Sequence, residues 1–201
     1  MTVRSARRSS GLFALLLCFV PLIFAADNPV AEHVRNFGQV NDRLYRGGQP
    51  TERALEELAG LHVALVIDLR EPGEQTKVEQ EMVEALKMKY LNIPFHNFGA
   101  PTDDQMRRVL WLLVNGDTQK IFVHCWRGKD RTGTVIACYR IQHDGWDNKK
   151  ALAEAHKYGM SFTERGMRSY ILHFSPVSLS VLTPAGGKPE AAPSGDAAVV
   201  H

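Results

Sequence analysis

An apolar run, Ile121-Phe122-Val123, leads without a linker into His124-Cys125-Trp126-Arg127-Gly128-Lys129-Asp130-Arg131-Thr132-Gly133, and a helical pattern follows. That order constrains the chain more than any other segment. The apolar run reads as a buried strand that delivers Cys125 to a tight turn, with a helix starting near Arg131. The backbone N–H groups of 126–131 can then curl into a concave anion nest around the thiol. The helix turns its positive end to the same spot. Arg131, six residues after Cys125, can reach back over the nest, where its planar fork fits two oxygens of a phosphoryl group.

Such surroundings favour a thiolate, because a helix amino terminus and nearby cations lower a thiol that ordinarily titrates near 8.5. The same donors suit a transferring phosphoryl group, whose charge sits on its equatorial oxygens. Cys125 is therefore a candidate nucleophile for attack on phosphorus, through a phosphocysteine intermediate. Trp126, Arg127, Gly128, Lys129, Asp130 and Arg131 are the candidate phosphate-binding residues. Gly128 permits the loop geometry and Gly133 permits close packing of the helix. His124 is expected to orient the loop. Thr132 is expected to donate its hydroxyl to the sulfur as it leaves in the second step. Other readings of the segment are a structural thiol at a strand end, a rhodanese-like sulfur transferase, and a non-catalytic phosphate-binding module. Cys138, beside Val135 and Ile136, reads as an inert core thiol.

The string His-Cys, five residues, Arg, then Thr resembles the signature of the cysteine-based protein tyrosine phosphatase superfamily, in its dual-specificity branch. Leu44-Tyr45-Arg46-Gly47-Gly48-Gln49-Pro50, and Tyr139-Arg140 with Gly145-Trp146, resemble exported bacterial members of that branch. The resemblance spans roughly residues 36–174. It implies Cys125 as nucleophile, Arg131 as phosphate clamp, a small sheet flanked by helices, and no metal or other cofactor. It implies hydrolysis of protein phosphotyrosine, with phosphoserine or phosphothreonine as further substrates. Arg127 and Lys129 add two cations to the loop, as in members that act on phosphoinositides or inositol phosphates, so a lipid or inositol substrate is the alternative.

A proton donor to the leaving oxygen is worth roughly 10²–10⁴ in rate. The segment Asn97-Phe98-Gly99-Ala100-Pro101-Thr102-Asp103-Asp104 stands about 20 residues upstream of Cys125, where the resemblance places an acid-bearing loop. Asp103 is the first candidate for the general acid and Asp104 the second. Both also fit the first turn of a helix, where acids serve the dipole. Asp130 either donates the proton or only braces the loop. Arg70-Glu71 either forms an ion pair near the loop or is strand-end surface.

Around this segment the chain alternates strand and helix patterns, as in an α/β domain with a small mixed or mainly parallel sheet covered by helices. Leu44-Tyr45 reads as a short strand. Thr51 caps a helix to about Ala59, with Gly60 as its stop. Val63 to Leu69 is a buried strand. A helix follows the Pro72-Gly73 turn to Met88, and Tyr90 to Ile93 is a further strand. Thr102 and Gln105 form a capping box for a helix to about Val114. Helices over 131–142, 148–157 and 163–174 complete a domain spanning 27–175. Residues 176–201, rich in Pro, Gly, Ala and Ser, read as a disordered tail.

The 24 Lys and Arg against 22 Asp and Glu, a net charge of +2, exclude a nucleic-acid-binding composition. The three cysteines exclude a disulfide-dense scaffold. Three of the bases, Arg4, Arg7 and Arg8, precede an apolar run from Leu12 to Ala26, and residues 1–26 hold no acid. A basic start, a short apolar stretch and small residues at its end form an export-signal pattern. The run is shorter than the roughly 20 residues of a comfortable membrane span. Residues 1–26 are thus a signal peptide, directing the protein most readily to the periplasm, or an anchor that keeps residues 12–26 at a membrane. Without them the domain carries 21 bases and 22 acids, so phosphate affinity must come from the local cluster around Cys125.

Overall fold

Period-two alternation sorts the strand residues onto two faces, and the computed structural model shows each face under its own layer of helices. The structure describes residues 29–96, 99–115 and 119–178. In chain order the elements are α1 (Val30–His33), β1 (Gly38–Gln39), β2 (Leu44–Gly47), α2 (Glu52–Gly60), β3 (Val63–Asp68), α3 (Glu74–Ala85), β4 (Lys89–Asn92), α4 (Asp103–Asn115), β5 (Lys120–His124), α5 (Asp130–Gln142), α6 (Asn148–Lys157) and α7 (Arg165–His173). The sheet order is β1-β2-β5-β3-β4. β2, β5, β3 and β4 run parallel, and β1 pairs antiparallel to β2 at the edge. The sheet is therefore mixed and mainly parallel, as expected. The pattern-based reading missed β1 and α1, which are too short to show a period.

Ile121 and Val123 of β5 join Leu65 and Ile67 of β3 in a core under α4 and α5. Phe122 points to the other face, with Val66, Tyr45 and the apolar stripes of α1, α2 and α3. Val63 shares that second face although it stands two residues before Leu65. A register shift between Val63 and Leu65 turns it over, as a bulge does. A third apolar cluster joins α5 to α6 and α7 through Ile141, Leu152, Met167 and Ile171. α5 is buried from Thr132 to Tyr139, so it lacks the polar stripe of a surface helix.

The helix starts follow their caps. Thr51 Oγ1 accepts from the Ala54 N–H, Asp147 Oδ1 from the Lys150 N–H, and Thr102 exchanges bonds with Gln105. α3 ends at Ala85, three residues before the expected Met88, and Lys87 takes a positive φ of 63°. The carboxyl boundary of the domain also moves. Gln142 clasps both the N–H and the carbonyl of Val177 at 2.9 Å, and Val177 packs on the first core. Residues 176–178 thus belong to the domain and not to a tail. The expected leader, residues 1–26, and the rest of the expected tail lie outside the described residues.

β5 occupies the middle of the sheet, and its carboxyl end opens into the Cys125 loop, where parallel α/β folds gather their ligands. Phe122 is fully buried beneath it and stacks on His124 with ring centroids 5.3 Å apart. Phe122→Ala is expected to lower unfolding stability by about 3–5 kcal/mol, read as a lower urea midpoint at unchanged slope.

Candidate active site

The loop after β5 is held from behind by the amino-terminal third of the chain. The Trp126 carbonyl accepts from the Gln49 N–H at 3.3 Å. The Arg127 carbonyl accepts from Asn36 Nδ2 at 2.9 Å. The Gly128 carbonyl accepts from Arg46 Nη2. Every peptide described is trans, so each N–H points opposite to the carbonyl before it. Three carbonyls tied outward leave the N–H groups of Arg127, Gly128 and Lys129 on the concave side, as a nest requires. Gly128 sits at φ 68°. A Cβ there would stand 2.5 Å from the backbone of Gly47 and Gly48, so only glycine fits.

Above the nest lies a cleft of about 610 Å³. Cys125, 2% exposed, lies at its base. Trp126, Arg127, Asp130 and Arg131 line it, as do Arg70, Glu71, Gly73, Glu74 and Glu164. Arg131 starts α5 and anchors Nη1 on the Leu69 carbonyl at 3.3 Å, which brings its fork back from the helix to the end of β3. A guanidinium has five donors, so others are left for a ligand.

Beneath the loop is a buried ionic network. Arg70 donates to both oxygens of Asp68 and, at 2.7 Å, to Glu79. His124 Nε2 lies 2.8 Å from Glu79 Oε1 and 3.9 Å from Asp68 Oδ1. Tyr90 donates to Asp68 at 2.6 Å. Burial alone would lower the His124 pKa, but the charges of Glu79 and Asp68 outweigh it and raise it above 6.5. Burial likewise pushes Asp68 up, yet the charge of His124 and the bonds from Arg70 hold it below 3.8. Asp68, Glu79 and His124 present the donor types of a metal site, but the Arg70 guanidinium already binds both carboxylates.

Comparison with known proteins gives the family of the chain. The family model described as "DSP-PTPase phosphatase fused to NAD+ Kinase" matches residues 24–171. The chain belongs to this family of cysteine-based, dual-specificity-type phosphatases. It is 31% identical over 154 residues to the inositol diphosphatase DSP3 of Arabidopsis thaliana, covering 72% of each chain. It is 26% identical over 160 residues to the dual specificity protein phosphatase TpbA of Pseudomonas aeruginosa, covering 79% of this chain and 70% of that one. It spans about half of another relative, 53% of the inositol diphosphatase DSP2 of Oryza sativa. The crystal structure of Pseudomonas TpbA in complex with pTyr superposes with a TM-score of 0.59 at 24% identity, covering 73% of this chain and 87% of that one.

In this phosphatase the structure gathers most of the residues singled out in the sequence. Cys125, Trp126, Arg127, Asp130 and Arg131 share the cleft. His124 is fully buried under it. Thr132 Oγ1 turns to the Gly47 carbonyl at 3.4 Å. Asp130 is a brace, its Oδ1 accepting from the Ser161 N–H at 2.8 Å. Arg70 takes up the ion pair that was one of its two readings.

Two expectations need correction. The Lys129 side chain lies along Gly159 and is not among the cleft residues. Asp103 does not line the Cys125 cleft either. It accepts from the Tyr170 hydroxyl at 2.9 Å and borders a separate pocket with Met106 and Phe174. The cause is the packing of the preceding loop, because Gly99 and Ala100 press against Gly166 of α7. The first turn of α4 then faces Tyr170, farther along α7. Asp104 pairs with Arg107 on the surface. Asn97 and Phe98 lie outside the described residues.

The sequence reading missed Glu164, the cap residue of α7 and a carboxyl that does line the cleft. Its pKa is raised by burial and by the charge of Asp130, against the opposing pull of Arg131. An acid before a helix carries no spacing signal that would have flagged it.

The network sets a pH window for stability. His124 is raised on folding, so its contribution is full below about 6.5 and is lost as pH rises through its folded value. Asp68 is lowered on folding, so its contribution is present above 3.8 and is lost as acid passes its folded value. Glu79→Gln leaves His124 and Arg70 short of a carboxylate and is expected to cost about 3–5 kcal/mol. It is also expected to lower the His124 titration midpoint measured by NMR. An unchanged midpoint would contradict the pairing.

Proposed function

We propose that this phosphatase hydrolyses protein phosphotyrosine and related monoesters through a phosphocysteine intermediate. The observation that carries this reading is the charge of the cleft. One nest with one arginine clamp shares the cleft with the carboxylates of Glu71 and Glu74. That arrangement suits one phosphate. It works against a substrate that brings several, because each further phosphate would approach like charge. Trp126, 45% exposed at the rim, offers an aromatic face to a phenol ring.

In this reading Cys125 Sγ attacks phosphorus, and the S–P bond forms as the bond to the leaving oxygen breaks. Nest N–H groups and Arg131 hold the equatorial oxygens. Glu164, kept protonated to higher pH by its raised pKa, gives its proton to the leaving phenoxide. Water then attacks phosphorus, Glu164 takes up the proton of that water, and the S–P bond breaks to free orthophosphate. The inositol and lipid alternative rests on Arg127 in the cleft and on the inositol diphosphatase relatives. Residues 1–26 act as the export signal in this proposal and place the enzyme in the periplasm.

With a phosphotyrosyl peptide, Cys125→Ser is expected to abolish turnover. Glu164→Gln is expected to lower kcat by about 10²–10⁴, and less on an aryl phosphate whose leaving group needs no proton. Asp103→Ala should keep the wild-type rate, and the reverse pattern would return the acid role to Asp103. Higher kcat/KM on a phosphoinositide or inositol polyphosphate than on the peptide would overturn the substrate assignment. For export, the intact mass of protein recovered from a periplasmic fraction should lack the leader.

A further inference from the structure

Arg46 is the buried cation that the chemistry above does not use. It sits on β2 opposite Val123 of β5, two residues before Cys125. It is 1% exposed. Its Nη2 donates to the Gly128 carbonyl, and its guanidinium carbon lies 3.8 Å from the centre of the Tyr158 ring. Its Nε and Nη1 have no hydrogen-bond partner among the described residues.

Burying a charge in this way is costly unless something nearby compensates it. The other buried guanidinium, Arg70, meets that demand with two carboxylates, Asp68 and Glu79. Among the described residues Arg46 forms no such ion pair. Its compensation is the Tyr158 ring face, one loop carbonyl, and the field of more distant groups. Burial lowers its pKa to about 10, so it stays charged at neutral pH, and Tyr158, Cys125 and Glu154 are the groups that pull it back up. The strand register puts Arg46 beside the end of β5 that leads into Cys125, so its uncompensated charge lies behind the same loop that its hydrogen bond to Gly128 holds.

We propose that Arg46 is a positioning residue for phosphate transfer, a buried charge that holds the Gly128 peptide plane outward and stabilises the Cys125 thiolate from behind the nest. Two properties of one side chain produce the two effects. The hydrogen bond to Gly128 fixes the plane whose far side presents the Lys129 N–H. The charge, left without a carboxylate, acts on the anion on the far side of the loop. A guanidinium suits both tasks because it stays charged when desolvated and is weakly hydrated. Tyr158 keeps the fork in place by stacking.

The test is alkylation of Cys125 by iodoacetamide across pH, in the purified full chain and in Arg46→Gln, Arg46→Lys and Tyr158→Leu. Urea midpoints check that each variant folds, and kcat and KM on an aryl phosphate are read beside it. Gln keeps a donor and loses the charge, whereas Lys keeps the charge. Arg46→Gln is expected to alkylate about tenfold more slowly at pH 6, with its profile moved to higher pH. Arg46→Lys is expected to stay within about twofold of wild type.

If Arg46→Gln does not fold, Tyr158→Leu carries the test, with an expected drop of about threefold at pH 6. Identical profiles for Gln and Lys, or an unmoved profile for Tyr158→Leu in that case, would overturn the charge role. The alkylation readout contains no substrate, so it stands or falls apart from the phosphotyrosine assignment.

Discussion

Three consecutive peptide planes between Trp126 and Lys129 face one way because three donors from the first fifty residues hold their carbonyls. If any plane rotated, a carbonyl oxygen would point into a site built for anions. The rest of the architecture protects this constraint. Gly47 cannot carry a side chain because a Cβ would meet Val34 at 2.4 Å and the Phe122 ring at 3.1 Å. Gly48 is closed in by the backbone of Trp126 and Arg127, and its N–H binds the Arg35 carbonyl at 2.7 Å. The short α1 and the turn after it thus have a clear task. They clamp β2 against the loop, and Asn36 extends that clamp to Arg127.

Charge is arranged in two layers below the nest. Asp68, Arg70, Glu79 and His124 form a buried network in which Arg70 binds both carboxylates and His124 Nε2 faces Glu79. This layer fixes the floor of the loop through His124, and its guanidinium is paired with carboxylates, as a buried ion must be. Arg46 forms the second layer, on the other side of β5, and is not matched in the same way. In the positioning role proposed for Arg46, a positive bias reaches Cys125 from the side of β2, while the positive end of α5 reaches it from ahead.

The fold was legible in the sequence wherever one element carried its own signal. β3 and β5 are continuous apolar runs, Thr51 and Thr102 are caps with their partners three residues on, and the ten residues from His124 to Gly133 hold the nest, the thiol and the clamp together. Legibility failed where position depends on contacts distant in the chain. Arg46 and Gly128 are 82 residues apart, and Asp103 and Tyr170 are 67 apart. Nothing local tells Asp103 that its helix will face α7. Lys129 reads as a loop cation, yet Gly159 offers its aliphatic stem a groove to lie in. The Val63 bulge changes the face of one residue without any change in composition. The carboxyl boundary was misplaced because Gln142 holds Val177 by two hydrogen bonds, and no apolar period announces them.

The acids around the cleft bear on substrate size as well as on proton transfer. Glu71 is engaged by His96 at 2.8 Å and Glu74 by Lys77 at 2.8 Å, both at the surface, where such pairs are weak. Their charges are therefore only partly cancelled at the mouth of the cleft. A ligand with a single phosphate places its charge at the base, on the nest and Arg131, and can present a neutral ring or a cationic flank to these glutamates. A second phosphate on a rigid ring has no matching site there, since Arg70 is already bound by Asp68 and Glu79. Arg127 is the cation left on the nest side of the cleft, and it can serve one further anion at most. In the proposed function the cleft thus selects by where charge is missing as much as by where it is concentrated, and a phosphorylated side chain on a polypeptide meets that pattern better than a ring bearing many phosphates.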